Sequence, residues 1–146
     1  LEPVDSAEEA VTDADIICAA TTSSTPVLHY QDLKSGVHIN GVGSFQPSMQ
    51  EIDSETIKNA LVFVDSRESA LSETGDLTIP IQEGIIGKNH LRAEIGELLE
   101  NPSLGRKTPD EITFFKSCGV AVQDVVAAGM ALEQAKKHNL GRIIRM

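Results

Sequence analysis

A chain of 146 residues, 40% apolar but with four Phe, one Tyr and no Trp, can bury one core built from Ile, Leu, Val and Ala, the make-up of an α/β layer protein. A net charge of −10 argues against nucleic acid or an anionic membrane as partner. Nothing in the sequence reaches the run of about 18 apolar residues that a membrane span needs, and no leader pattern opens the chain. Cys18 and Cys118 stand alone, outside any C-x-x-C spacing, which suits a reducing cytoplasm better than a disulfide framework. The first residue is Leu, so the sequence reads as a piece of a longer one.

In chain order, Ser6-Ala7-Glu8-Glu9 has the form of a capping box and opens a short helix, Ala7–Asp13. Ile16–Ala20 is a short buried strand, followed by the polar run Thr21–Thr25. Leu33–Gly36 is a turn, Val37–Val42 a second strand, Ser54–Ala60 a short helix and Leu61–Val64 a third strand ending at Asp65. A helix over Glu68–Glu73 is stopped by Gly75. His90–Glu100 is predicted as one helix, because Leu91, Ile95, Leu98 and Leu99 recur at helical spacing. Thr108–Glu111 forms a turn before a strand in Ile112–Phe115, and the longest helix runs from about Val120 to His138. The apolar face of that helix carries Val122, Val125, Val126, Gly129 and Met130. Lys136, Lys137, Arg142 and Arg145 make the tail locally basic and complement a helix C-terminus. Strands without alternation, separated by helices, predict a parallel sheet covered on both faces.

Ligands of open parallel sheets bind beyond the C-terminal strand ends. Thr21–Ser24, Gly41–Ser44 and Asp65-Ser66 converge there, and Gly41 and Gly43 would let a ring or ribose approach the backbone. A glycine at a strand end is more often a plain turn, and that reading is preferred for each taken alone. Lys116-Ser117-Cys118-Gly119 leads a strand into the long helix, where free amides favour an anion or a carbonyl oxygen, with a plain strand–helix turn as an equal alternative. Cys118 has no neighbour to activate it as a nucleophile. His29, His38, His90 and His138 show no metal spacing, and His38 reads as a hydrogen-bonded core residue. Glu51, Asp53, Glu55 and Asp65 read as solvated helix starts rather than acid–base groups.

Taken together, A-D-I-I-C-A-A-T-T-S-S-T-P-V, G-V-H-I-N-G-V-G-S-F-Q-P-S-M-Q-E-I-D, F-V-D-S-R-E-S-A-L-S-E-T-G-D, A-E-I-G-E-L and I-T-F-F-K-S-C-G-V-A-V-Q-D resemble the C-terminal half of an ornithine cyclodeaminase/mu-crystallin family protein. The resemblance implies a partial Rossmann-type parallel sheet without its first strands and glycine-rich loop, followed by a long C-terminal helix. Residues 1–119 would be a truncated NAD(P)-binding domain, and residues 120–146 the helix that returns to the substrate and dimerisation domain. The resemblance places the phosphate loop, the catalytic Lys and the substrate-gripping Arg upstream, so no catalytic residue and no metal ligand is expected in this chain. The cofactor, NAD or NADP, would touch Ala19, Thr21, Ile39, Asn40, Gly41, Val42 and Ser117, and the substrate would face Cys118. Where cyclodeaminases of the family carry a catalytic Asp, this sequence has Phe45. That departure favours reduction of cyclic imino acids over ornithine deamination in a homo-oligomeric parent acting on small amino or imino acids, the chain alone being inactive. The alternative is a crystallin-type protein that binds the cofactor without turnover. As a separate molecule the chain is expected to self-associate, through the open edge of Ile16–Ala20 or the long helix.

Overall fold

The computed structural model describes residues 2–142 and residue 144, so Arg145 of the basic tail lies outside the described residues. Helix α1 (Ala7–Val11) starts where Ser6 Oγ accepts from the Glu9 amide at 3.1 Å. The reciprocal arm of the expected capping box differs: Glu9 accepts from the Asp5 amide instead of that of Ser6. Strand β1 (Ile16–Ala19) and strand β2 (His38–Gly41) follow, then helix α2 (Ser54–Asn59), capped by Asp53. Strand β3 (Leu61–Val64) leads through Asp65 into helix α3 (Arg67–Glu73).

Helix α4 (Gly75–Gln82) is not among the predicted elements, since Gly75 reads as the stop of the preceding helix. Gly75 is instead its first residue, behind the Thr74 cap, and Pro80 falls near the end of a helix of only eight residues. The segment predicted as a single helix over His90–Glu100 divides into strand β4 (Leu91–Glu94) and helix α5 (Ile95–Glu100). Pairing with β3 explains the division: Leu91 pairs with Val62 and, across a register shift, Ala93 pairs with Phe63, and both are buried while Arg92 between them is exposed. Of the expected helical stripe, Leu99 is 79% exposed. Strand β5 (Thr113–Lys116) and helix α6 (Ala121–Lys137) complete the chain.

All five strands are parallel, in the order β1-β2-β5-β3-β4. The path steps outward from β1 to β2, skips a place to β3 and β4, and returns with β5 to fill the gap. One face is sealed, with Ile17, Ile39, Phe114, Val62 and Val64 buried from strand to strand under the helices. The other face is less covered than the sequence predicts. Phe63 and Ala93 are buried there, but Ile16 is 67% exposed, Cys18 is exposed and His38, Asn40 and Phe115 are half-buried. Strand β1 is one edge of the sheet and β4 the other. Every valine on the expected face of α6 is exposed, and the described residues of that helix bury nothing.

Candidate functional site at the C-terminal edge of the sheet

Two ladder extensions bring the edge together. The Val42 amide donates to the Ala19 carbonyl at 2.8 Å, and the Ser117 amide donates to the Gly41 carbonyl at 3.0 Å. Ala19, Gly41, Val42, Ser117 and Cys118 therefore occupy one continuous rim, with the exposed Thr21 above it. Ile39 does not belong to that rim. Its side chain is fully buried on the sealed face, so it has no surface to offer a ligand. Asn40 points to the other face, where Nδ2 donates to Cys18 Sγ at 3.7 Å and Oδ1 lies 3.3 Å from His38 Nε2. His38 is thus hydrogen-bonded as expected, with Nδ1 2.8 Å from Thr113 Oγ1, although it is half-buried rather than in the core.

The glycines serve the protein itself. A Cβ on Gly41 would meet the Phe114 ring at 2.6 Å, and one on Gly43 would meet the Thr21 carbonyl oxygen at 2.1 Å. Close backbone approach is required at both, but the approaching groups are internal. The amides before α6 follow the plain-turn alternative. They do not wait for an outside anion: Asp65 Oδ2 accepts from the Ser117 hydroxyl at 3.1 Å, the Cys118 amide at 2.9 Å and the Gly119 amide at 2.7 Å. Burial, with Asp65 beside it, pushes the Cys118 thiol up to about 11. It is therefore neutral at ordinary pH, and a carboxylate brought near it would meet no thiolate charge.

Two carboxylates expected to be solvated are structural. Besides Asp65, Glu51 is fully buried: one oxygen accepts from the Thr21 amide, the other from the Gly43 amide at 2.7 Å and the Ser44 amide at 3.1 Å. Asp53 fits the expectation, accepting from the Thr56 amide as the cap of α2. Below Glu51 sits an ion pair absent from the sequence reading. Lys116 and Asp76 are both fully buried, with Nζ 3.6 Å from Oδ2. Lys116 also donates to the Gly41 carbonyl at 3.2 Å, while Asp76 Oδ1 accepts from the amides of Glu51 at 2.7 Å and Ile52 at 3.2 Å. Burial raises the Asp76 carboxyl above its ordinary range, opposed by Lys116 and the two amides. A usable signal existed: a Lys that continues the apolar strand Ile112–Phe115 on its buried face needs a buried counter-ion.

An open parallel sheet with its loops gathered at the C-terminal rim is an α/β architecture of the Rossmann-like kind, in which ligands lie beyond the strand ends. The chain belongs to the ornithine cyclodeaminase/mu-crystallin family, whose sequence profile matches residues 1–139. It is 47% identical over 140 residues to a Delta(1)-pyrroline-2-carboxylate reductase of Bacillus cereus, covering 95% of this chain and 43% of that one. The Thermococcus litoralis Delta(1)-pyrroline-2-carboxylate reductase, solved with NADH and L-proline, superposes with a TM-score of 0.89 at 40% identity, over 97% of this chain and 44% of that one. An archaeal alanine dehydrogenase dimer with bound NAD gives 0.85 at 35% identity, over 99% and 44%. The chain thus spans less than half the length of these relatives.

Proposed function

We propose that this chain is the C-terminal part of an NAD(P)-dependent oxidoreductase that reduces a cyclic imino acid. The observation that carries the reading is the rim itself: the loops after β1, β2 and β5 meet at one sheet edge, in a chain similar to enzymes named for imine reduction. Thr21, Gly41, Val42 and Ser117 would line the nicotinamide side of the cofactor, Ala19 and Asn40 would support it from β1 and β2, and Cys118 would face the substrate. The bound cofactor would supply the hydride, and the residues of this chain would orient its ring.

Phe45 supports reduction over deamination. It is 57% exposed beside the rim and offers no group to move a proton where a cyclodeaminase needs a carboxylate. Residues 1–119 would form the cofactor-binding part, and residues 120–146 would reach a substrate and dimerisation domain. The exposed valine face of α6 supports such a contact, and with it a homo-oligomer. The free thiols of Cys18 and Cys118 suit the cytoplasm. The decisive experiment is oxidation of NADH or NADPH by the full-length protein with Δ1-pyrroline-2-carboxylate, beside ammonia release from ornithine. Faster imine reduction is expected. Faster ammonia release would reject the reading, and tight cofactor binding without either reaction would favour a crystallin-type binding protein.

A further inference from the structure

We infer that Glu51 is the positioning residue of the cofactor rim, fastening the loop after β1 to the loop after β2. This rests on the proposed cofactor reading but names a residue outside the rim. Three backbone amides converge on its carboxylate from two separate loops: Thr21 on one oxygen, Gly43 and Ser44 on the other. Such a buried anion has replaced all of its water with fixed dipoles, and releasing any one donor leaves a desolvated amide unpaired. The absence of a side chain at Gly43 is the second sign of the same junction, since a Cβ there would lie 2.4 Å from Glu51 Oε1 and 2.1 Å from the Thr21 carbonyl oxygen.

Glu51 is itself held from below. Its amide donates to Asp76, and Asp76 sits against Lys116, whose ammonium donates to the Gly41 carbonyl. A closed circuit therefore runs from β2 through Lys116, Asp76 and Glu51 back to the residues just beyond β2. None of the three side chains, Lys116, Asp76 and Glu51, needs to touch a ligand. Its effect is on where Thr21, Gly41 and Val42 stand before the cofactor arrives, which lowers the ordering cost of binding.

The test is Glu51→Gln in the full-length protein. An amide keeps one acceptor oxygen but turns an N–H₂ toward backbone donors, so the two loops lose their common anchor. The KM for NADH or NADPH is expected to rise about tenfold, with kcat changed by less than about threefold, the pattern of lost cofactor positioning. A merely structural role would lower the folded fraction and leave KM where it was; a rise below about fivefold in folded Glu51→Gln overturns the inference. If that variant does not fold, amide exchange in the unmodified protein without cofactor decides. Slow exchange at Thr21, Gly43 and Ser44 beside fast exchange at Thr22 and Ser24 supports the junction, and uniformly fast exchange overturns it. Should the unmodified protein bind neither NADH nor NADPH, the functional reading fails, while the exchange pattern still reports on Glu51.

Discussion

Helices α4 and α6 invert the expectations that their sequences raise. The eight residues of α4 include a glycine, a proline and an aspartate, yet Gly75, Asp76, Leu77, Thr78 and Pro80 are all buried. The 17 residues of α6 carry a regular valine face, and none of its described residues is buried. An apolar stripe states that a face requires a partner, but it does not supply one. A buried charge, conversely, is tolerated only where the rest of the fold has already placed a counter-ion and amides around it. The sheet edge meets that condition with Lys116, Asp76 and Glu51.

The comparison breaks most sharply at the ion pair. Lys116→Met would strand the Asp76 carboxylate in the core, and urea unfolding should register a loss of about 3–5 kcal/mol. The double change Lys116→Met with Asp76→Asn should cost less than the two single changes added together, because neither charge is left alone. Val125→Ala on α6 is the control, and should stay within about 0.5 kcal/mol. An equal loss at Val125 would mean that the valine face is already covered.

Gly43→Ala comes next. Its methyl group would overlap the Thr21 carbonyl, and a shift of the two loops should cost about 1–3 kcal/mol in the same unfolding experiment. Unchanged stability would show that the junction yields easily. Asp65→Ala removes the shared acceptor of Ser117, Cys118 and Gly119 where the sheet hands over to α6. A loss of about 1–3 kcal/mol is expected, with faster proteolysis confined to this connection.

The smallest effect is chemical. With its thiol near 11, Cys118 should alkylate far more slowly at pH 8 than the exposed Cys18. Asp65 is among the causes that raise the Cys118 thiol, so Asp65→Asn should move the pH midpoint of its alkylation downward. Mass spectrometry of timed alkylation checks both, and equal rates at the two cysteines would show that the α6 connection opens freely.

Local pattern determined a good deal by itself. Four of the five strands and both ends of α6 fall within a residue or two of where the apolar runs and turn residues put them, because short buried strands and capped helices are written in nearby residues. The rim was legible too, since strand ends in a parallel sheet must share one edge. What escaped depended on partners far along the chain. Leu91–Glu94 is a strand because β3 lies beside it, although its own spacing favours a helix. Glu51 and Asp65 look like helix-start acids until the amides of Thr21 and of Gly119, 30 and 54 residues away in sequence, close around them. Lys116 and Asp76 are charged residues that a local reading sends to the surface. Only the tertiary structure brings them within 3.6 Å in the interior, because the cost of burying each charge is offset by the other and by the backbone groups around them.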